Sequence, residues 1–273
     1  HFGEDHPGVA ATLGNLACAY RDLGEAIQAH TKDPTGFTFY FLKADRLRKW
    51  KPQDGLMKSF QELFKEPGSL IHERIDFGHL LRGDYACSHG VASHRWKKPA
   101  HPDEDCEQLE AISEWLKQPI NRTVRRLWVD YSCLPQGEKK TKLEKAYFDA
   151  ALDTVNRLYL GLHVVILLDR SYLNRFWCNY EAFLSMHTAH ENGIQSSKED
   201  FRYSILCQGT TKGKEEKWIP LLRDWKSKSP EEALEELAKD DIEVTNMSDK
   251  TKQIEKLATL DEDIKKLWEQ TKP

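Results

Sequence analysis

The 273-residue chain lacks the short signatures of several common chemistries. It holds no G-x-G-x-x-G and no Walker loop, so neither usual backbone cradle for phosphate is encoded. It has no G-x-S-x-G, which excludes a hydrolase built on a nucleophile elbow. There is no H-E-x-x-H, and His187 and His190 stand three apart rather than four. The cluster Cys87, His89, His94, His101 and Cys106 fits no standard zinc spacing, so no metal is expected. The six cysteines (Cys18, Cys87, Cys106, Cys133, Cys178, Cys207) contain no C-x-x-C pair. That scatter reads as reduced thiols in a cytoplasmic protein rather than a disulfide framework. No apolar run approaches the length of a membrane span, and no signal peptide opens the chain. Neither sign of charge dominates: 40 Lys and Arg oppose 44 Asp and Glu, for a formal charge of -4. Nucleic acid and anionic membrane surfaces are therefore not expected partners. The first residue is His1, not Met, so a piece of a longer protein is expected.

What is present is an ordinary globular composition, 39% hydrophobic and 31% charged, long enough for one large or two modest domains. The organising stretch is 161–188. Val164 to Leu168 form an unbroken apolar run with no alternation, which predicts a strand buried on both faces, as in parallel sheets. Asp169-Arg170-Ser171 end it. Phe176, Tyr180, Phe183 and Leu184 then share one helical face, with Trp177 and Glu181 one turn apart on an adjacent face. Open α/β sheets bind ligands just past the carboxyl ends of such strands. On spacing alone, the commoner role for Glu181 is a solvent-facing helix charge or a loop cap.

Four further strands are predicted, at 90–95, 124–130, 203–207 and 241–245, each joined to helical pattern. With 163–168 they imply a doubly wound five-stranded parallel sheet. Leu109, Ile112, Trp115 and Leu116 mark one intervening helix, and 141–160 another closed by Gly161. Ser229-Pro230-Glu231-Glu232 is a capping box. The tail, 249–270, is helical by its apolar period, its many charges reading as a solvated outer face. Asp130 stands at the carboxyl end of Leu127-Trp128-Val129, where a carboxylate either acts on a ligand or anchors the loop Leu134-Pro135-Gln136-Gly137-Glu138. Within 37–83, Phe39, Phe41 and Leu42 predict a short strand or buried turn, 54–66 an amphipathic helix, and Ser69 to Phe77 an edge strand.

At the amino terminus, Gly-Glu-Asp-His-Pro is followed by Val9, Leu13, Leu16, Ala17 and Tyr20 at helical spacing, with Gly24 as a stop. This resembles one half of a tetratricopeptide repeat of the kinesin-light-chain type. A lone repeat buries no face by itself, so an array upstream is expected, through which protein partners would dock. The alternative is an unrelated amphipathic helix.

Trp177, Cys178 and Glu181 after the buried strand resemble the Ser-x-Trp-Cys-x-x-Glu segment of Toll/interleukin-1 receptor (TIR) domains, with Arg175 in place of the serine. Ser93-His94-Arg95 is similar to the Ser-Tyr-Arg that ends their first strand. Leu127, Trp128, Val129, Asp130, Cys133 and Gln136 resemble a pattern of the related fungal heterokaryon-incompatibility (HET) domains, as does the Ser93 to Trp96 opening. The resemblance implies a TIR/flavodoxin-like domain over 84–273, preceded by a connecting extension over 37–83 and a repeat remnant over 1–30. It implies a hydrolase that breaks the nicotinamide–ribose bond of NAD as substrate, without a cofactor, in defence or cell-death signalling. Glu181 is then catalytic, Arg95 holds a phosphate or ribose oxygen, and Trp96 or Trp177 stacks on a base, with Ser93 and Asp130 beside the nucleotide. The 132–140 loop is then a surface for self-association. A non-catalytic signalling module is the alternative, and a flavodoxin-like nucleotide-binding domain with another ligand the third.

Overall fold

The structure, a computed structural model, describes residues 7–244 and 247–272. Its frame is an α/β sheet of six strands: β1 (Gly36–Lys43), β2 (Leu70–Asp76), β3 (His89–His94), β4 (Arg126–Trp128), β5 (His163–Leu168) and, after the small hairpin β6 (His187–His190) and β7 (Gly193–Ser196), β8 (Tyr203–Cys207). The order is β2-β1-β4-β3-β5-β8. The last four are parallel to one another, whereas β1 runs antiparallel to both β2 and β4. The first parallel strand, β3, thus lies in the middle. The chain builds outward to β4 on one side and then to β5 and β8 on the other. The turnover falls between β3 and β5, and the crevice at the carboxyl ends of those strands is where such sheets take ligands.

Burial explains the arrangement. All six residues of β3 and five of the six of β5 are buried. Successive side chains point to opposite faces, so both faces of these strands are covered. From one side the Asn156–Gly161 helix sends the Tyr159 hydroxyl to the Ala92 carbonyl at 3.3 Å. Trp115, from the Glu107–Lys117 helix, packs against His163 with ring centroids 5.2 Å apart. Each fully buried Val, Leu or Ile stabilises by about 1.5–3 kcal/mol, so this double-sided apolar run is the main anchor of the fold.

Several expectations are corrected. The parallel set has four members, not five. Residues 241–244 form only an isolated bridge, Arg175 to Glu243, because no continuous neighbour is available there. Thr245 lies outside the described residues. The stretch 37–83 does not merely connect. Gly36–Lys43 and Leu70–Asp76 pair over seven registers and complete the sheet beside β4. Phe37, Phe39 and Phe41 of β1 are all fully buried. The first helix, Pro7–Lys32, continues through Gly24, and the expected start at Asp5 or His6 lies outside the described residues. It lies on β1 and on the Lys142–Thr154 helix, burying Leu23 and Ala26. Residues 1–6 of the repeat-like motif, and the side chains of Val9 and Leu13, lie outside the described residues. The 141–160 helix is two, Lys142–Thr154 and Asn156–Gly161, and the former opens on a Thr141/Glu144 capping box. The tail helix, Met247–Gln270, is not only a solvated face: Leu257, Leu260, Ile264 and Leu267 are buried, and Gln253 accepts from the Asn156 amide at 2.7 Å. No helix among the described residues is long and apolar enough to cross a membrane.

Candidate active site

The site grows from the last two residues of β3. Neighbours on a strand face opposite ways, so Ser93 and His94 reach different partners. Ser93 Oγ donates to Glu181 Oε2 at 2.6 Å and lies 2.5 Å from the Tyr172 hydroxyl. A serine has one proton to give, so Tyr172 donates to Ser93. Tyr172 is fully buried in the turn Arg170–Asn174, whose start is fixed by Asp169 Oδ1 accepting from the Tyr172 amide at 2.7 Å.

Glu181 is brought there by the Phe176–Ser185 helix. Phe176, Tyr180, Phe183 and Leu184 are at most 1% exposed, which fixes the rotation of the helix. Asn179 secures its start, donating to the Leu173 carbonyl at 2.8 Å and accepting from Trp225 Nε1 at 3.1 Å. Glu181 is half-buried, and burial pushes its carboxyl up to about 8. The Asp130 charge adds to that rise, while the hydroxyls of Ser93 and Tyr159 and the His94 charge oppose it. An acid held this way is protonated at neutral pH until a positive charge arrives beside it.

His94 turns to the other face. Its Nε2 lies 2.8 Å from Asp130 Oδ1 and its Nδ1 lies 2.6 Å from Gln108 Oε1. Gln108 Nε2 donates to the Arg95 carbonyl at 2.9 Å, which fixes the amide so that its oxygen faces the ring. Both partners of the imidazole are therefore acceptors, and both ring nitrogens carry protons. Burial alone would lower the His94 pKa, but the Asp130 charge and hydrogen bond, with Gln108 and Glu181, raise it to about 9. The Asp130 carboxyl is correspondingly held below its usual value despite burial, by His94, Trp96 and the Tyr131 amide. Trp96 Nε1 donates to Asp130 Oδ2 at 2.8 Å and the Tyr131 amide to Oδ1 at 2.6 Å. Both oxygens of Asp130 thus hold the protein's own loops, and Gln136 Nε2 donates to its carbonyl at 2.8 Å.

A cavity of about 350 Å³ adjoins this network, walled by Asp169, Arg170, Ser171 and Asn174 after β5, Gly209 and Thr210 after β8, and Lys97 and Glu107 after β3. Glu107 Oε1 accepts from the Gly209 amide at 2.7 Å and closes one edge. Arg95 Nη1 stands 3.8 Å from Asp169 Oδ2, and its buried Nε has no hydrogen-bond partner among the described residues. Of the residues singled out in the sequence, Ser93 and Glu181 touch, Asp130 and Trp96 touch, and Arg95 leans on Asp169. Trp177 stands apart, its ring edge-on to Phe176 with centroids 5.8 Å apart. Neither Glu181 nor Trp177 is part of the cavity wall.

Sequence reasoning missed Gln108 and Asp103. Asp103 is buried, and its two oxygens accept from the amides of Gln108 at 3.0 Å and Leu109 at 2.8 Å, so it starts the helix that aims Gln108 at His94. The signal available was an acid six residues before Leu109, the first apolar helix position. The cavity residues 169–171 carried a signal too, since they end the apolar run.

Comparison of the chain with protein-family models, with curated proteins and with solved structures finds no match. The fold defines the class: an α/β protein with a mostly parallel six-stranded sheet.

Proposed function

We propose that this chain is a TIR-like NAD hydrolase. The observation that carries the reading is the 2.6 Å contact between Ser93 and Glu181 at the carboxyl end of the central strand. In the reaction the bond between ribose C1′ and the nicotinamide nitrogen breaks and its electron pair leaves with nicotinamide. Water adds to C1′ and releases a proton. The transition state is oxocarbenium-like, so a fixed carboxylate beside the ribose lowers its energy. Glu181 supplies that carboxylate. The positive nicotinamide ring favours its ionised form, and Ser93 holds one oxygen still. Arg95 is the diphosphate ligand, and Trp96 or Trp177 the stacking surface. His94 and Asp130 position the loops rather than meet the substrate. In this reading the protein works in the cytoplasm in defence or cell-death signalling, self-associates through its 132–140 loop, and takes protein partners through upstream repeats.

Incubation with NAD and chromatography for nicotinamide tests it. Release is expected from the parent chain after assembly, rising with pH through about 8 as Glu181 ionises. Glu181→Ala should abolish release with the circular dichroism spectrum unchanged. Equal turnover by parent and variant sinks the reading. One observation favours the non-catalytic module instead: Glu181 is not in the cavity wall. Absence of nicotinamide from an assembled parent protein would select that module.

A further inference from the structure

A second hollow, of about 440 Å³, lies between the 50–58 loop and Ser132 of the Asp130–Cys133 turn. Its floor is apolar: Leu42, Leu47, Met57 and Leu109 line it and are buried. Trp50 forms a half-buried wall, and Leu56 stands at the mouth with 47% of its surface exposed. The size lies within the range of small-molecule sites, which are mostly apolar with a few charged groups that fix orientation.

The charged groups here are of one dominant sign. Arg46, Lys49 and Lys58 line the hollow against a single carboxylate, Asp54. Asp54 is exposed and accepts from the Lys51 amide at 2.8 Å. Arg46 is anchored on Ser69 at 2.7 Å and, with Lys58, pairs with Glu66, which holds both cations at the rim. The ammonium of exposed Lys49 has no ion pair among the described residues. An apolar floor under a cationic rim matches an amphipathic anion: the hydrocarbon displaces water from the leucines while the head group meets Lys49.

We propose that this hollow is a binding site for a small alkyl carboxylate. The proposal stands independently of any role for Glu181. Calorimetric titration of the full chain with decanoate, and with decyltrimethylammonium as the cation of like body, tests it below micellar concentrations. Decanoate should bind saturably, one per chain, and the cation not at all. Lys49→Glu reverses the free charge and Leu56→Asp sets a carboxylate in the mouth. Both positions are exposed, so the fold should persist. Each substitution should weaken decanoate by about two- to fivefold, the scale of one exposed ion pair. Failure of decanoate to bind overturns the proposal. So do equal binding of the cation, uptake of several decanoates per chain, or unchanged affinity in both variants.

Discussion

His94 and Glu181 are proton-binding groups whose folded values lie above their unfolded ones. His94 rises from 6.5 to about 9, with burial opposed and outweighed by Asp130, and Glu181 rises from 4.5 to about 8 through burial. A raised value means that the folded state binds more protons than the unfolded state. The stability that Glu181 contributes is fully present below pH 4.5 and is lost as pH rises through about 8. That of His94 is full below pH 6.5 and lost through about 9. The melting temperature should therefore fall between pH 6.5 and 9, and Glu181→Gln should flatten the slope. Scanning calorimetry across that window checks it, and a melting temperature that climbs with pH contradicts it. At this scale the sequence was partly readable. Ser93 and Glu181 stood out only through the segments they resemble, since spacing alone assigns Glu181 to a solvent-facing helix charge or a loop cap. Gln108 did not, because its role depends on a ring brought to it by another element.

Elements were legible where apolar periodicity and caps agreed. The strand 163–168 and the strand 203–207 have the expected bounds, and the Ser229/Glu232 capping box starts its helix as read. The expected strand at 241–245 failed because its alternation of Ile242, Glu243 and Val244 found only a single bridge. Pairing across a sheet is decided by what lies alongside, which one strand's sequence does not state. The Glu107–Lys117 helix shows the converse: its register is locked by Asp103, remote from its apolar face. Asp103→Ala leaves two amides of the first turn unpaired and buried. It should cost about 1–2 kcal/mol by urea denaturation, the range for a lost helix cap. Asp103→Asn, which keeps one acceptor, should cost less.

For the whole molecule, β1 is the hinge between what reads as one α/β unit and what reads as an extension. Its Phe37, Phe39 and Phe41 are fully buried, and Leu42 pairs with Leu127 of β4. A fragment beginning at residue 84 would leave β4 as an open edge and strip the cover from Tyr147, which packs on Phe37 and Tyr40. Unpaired edges and exposed apolar faces drive association. Such a fragment should elute from size-exclusion chromatography as aggregate, whereas a folded monomer would show that the hairpin is dispensable. The order of strands also sets a timetable for the ribosome. A nascent chain can zip β1 to β2 early, yet the aromatic ribbon waits for its second neighbour until Leu127 has emerged. During that interval the apolar faces of β1 lack their final cover, and pauses in translation before β4 would lengthen the exposure.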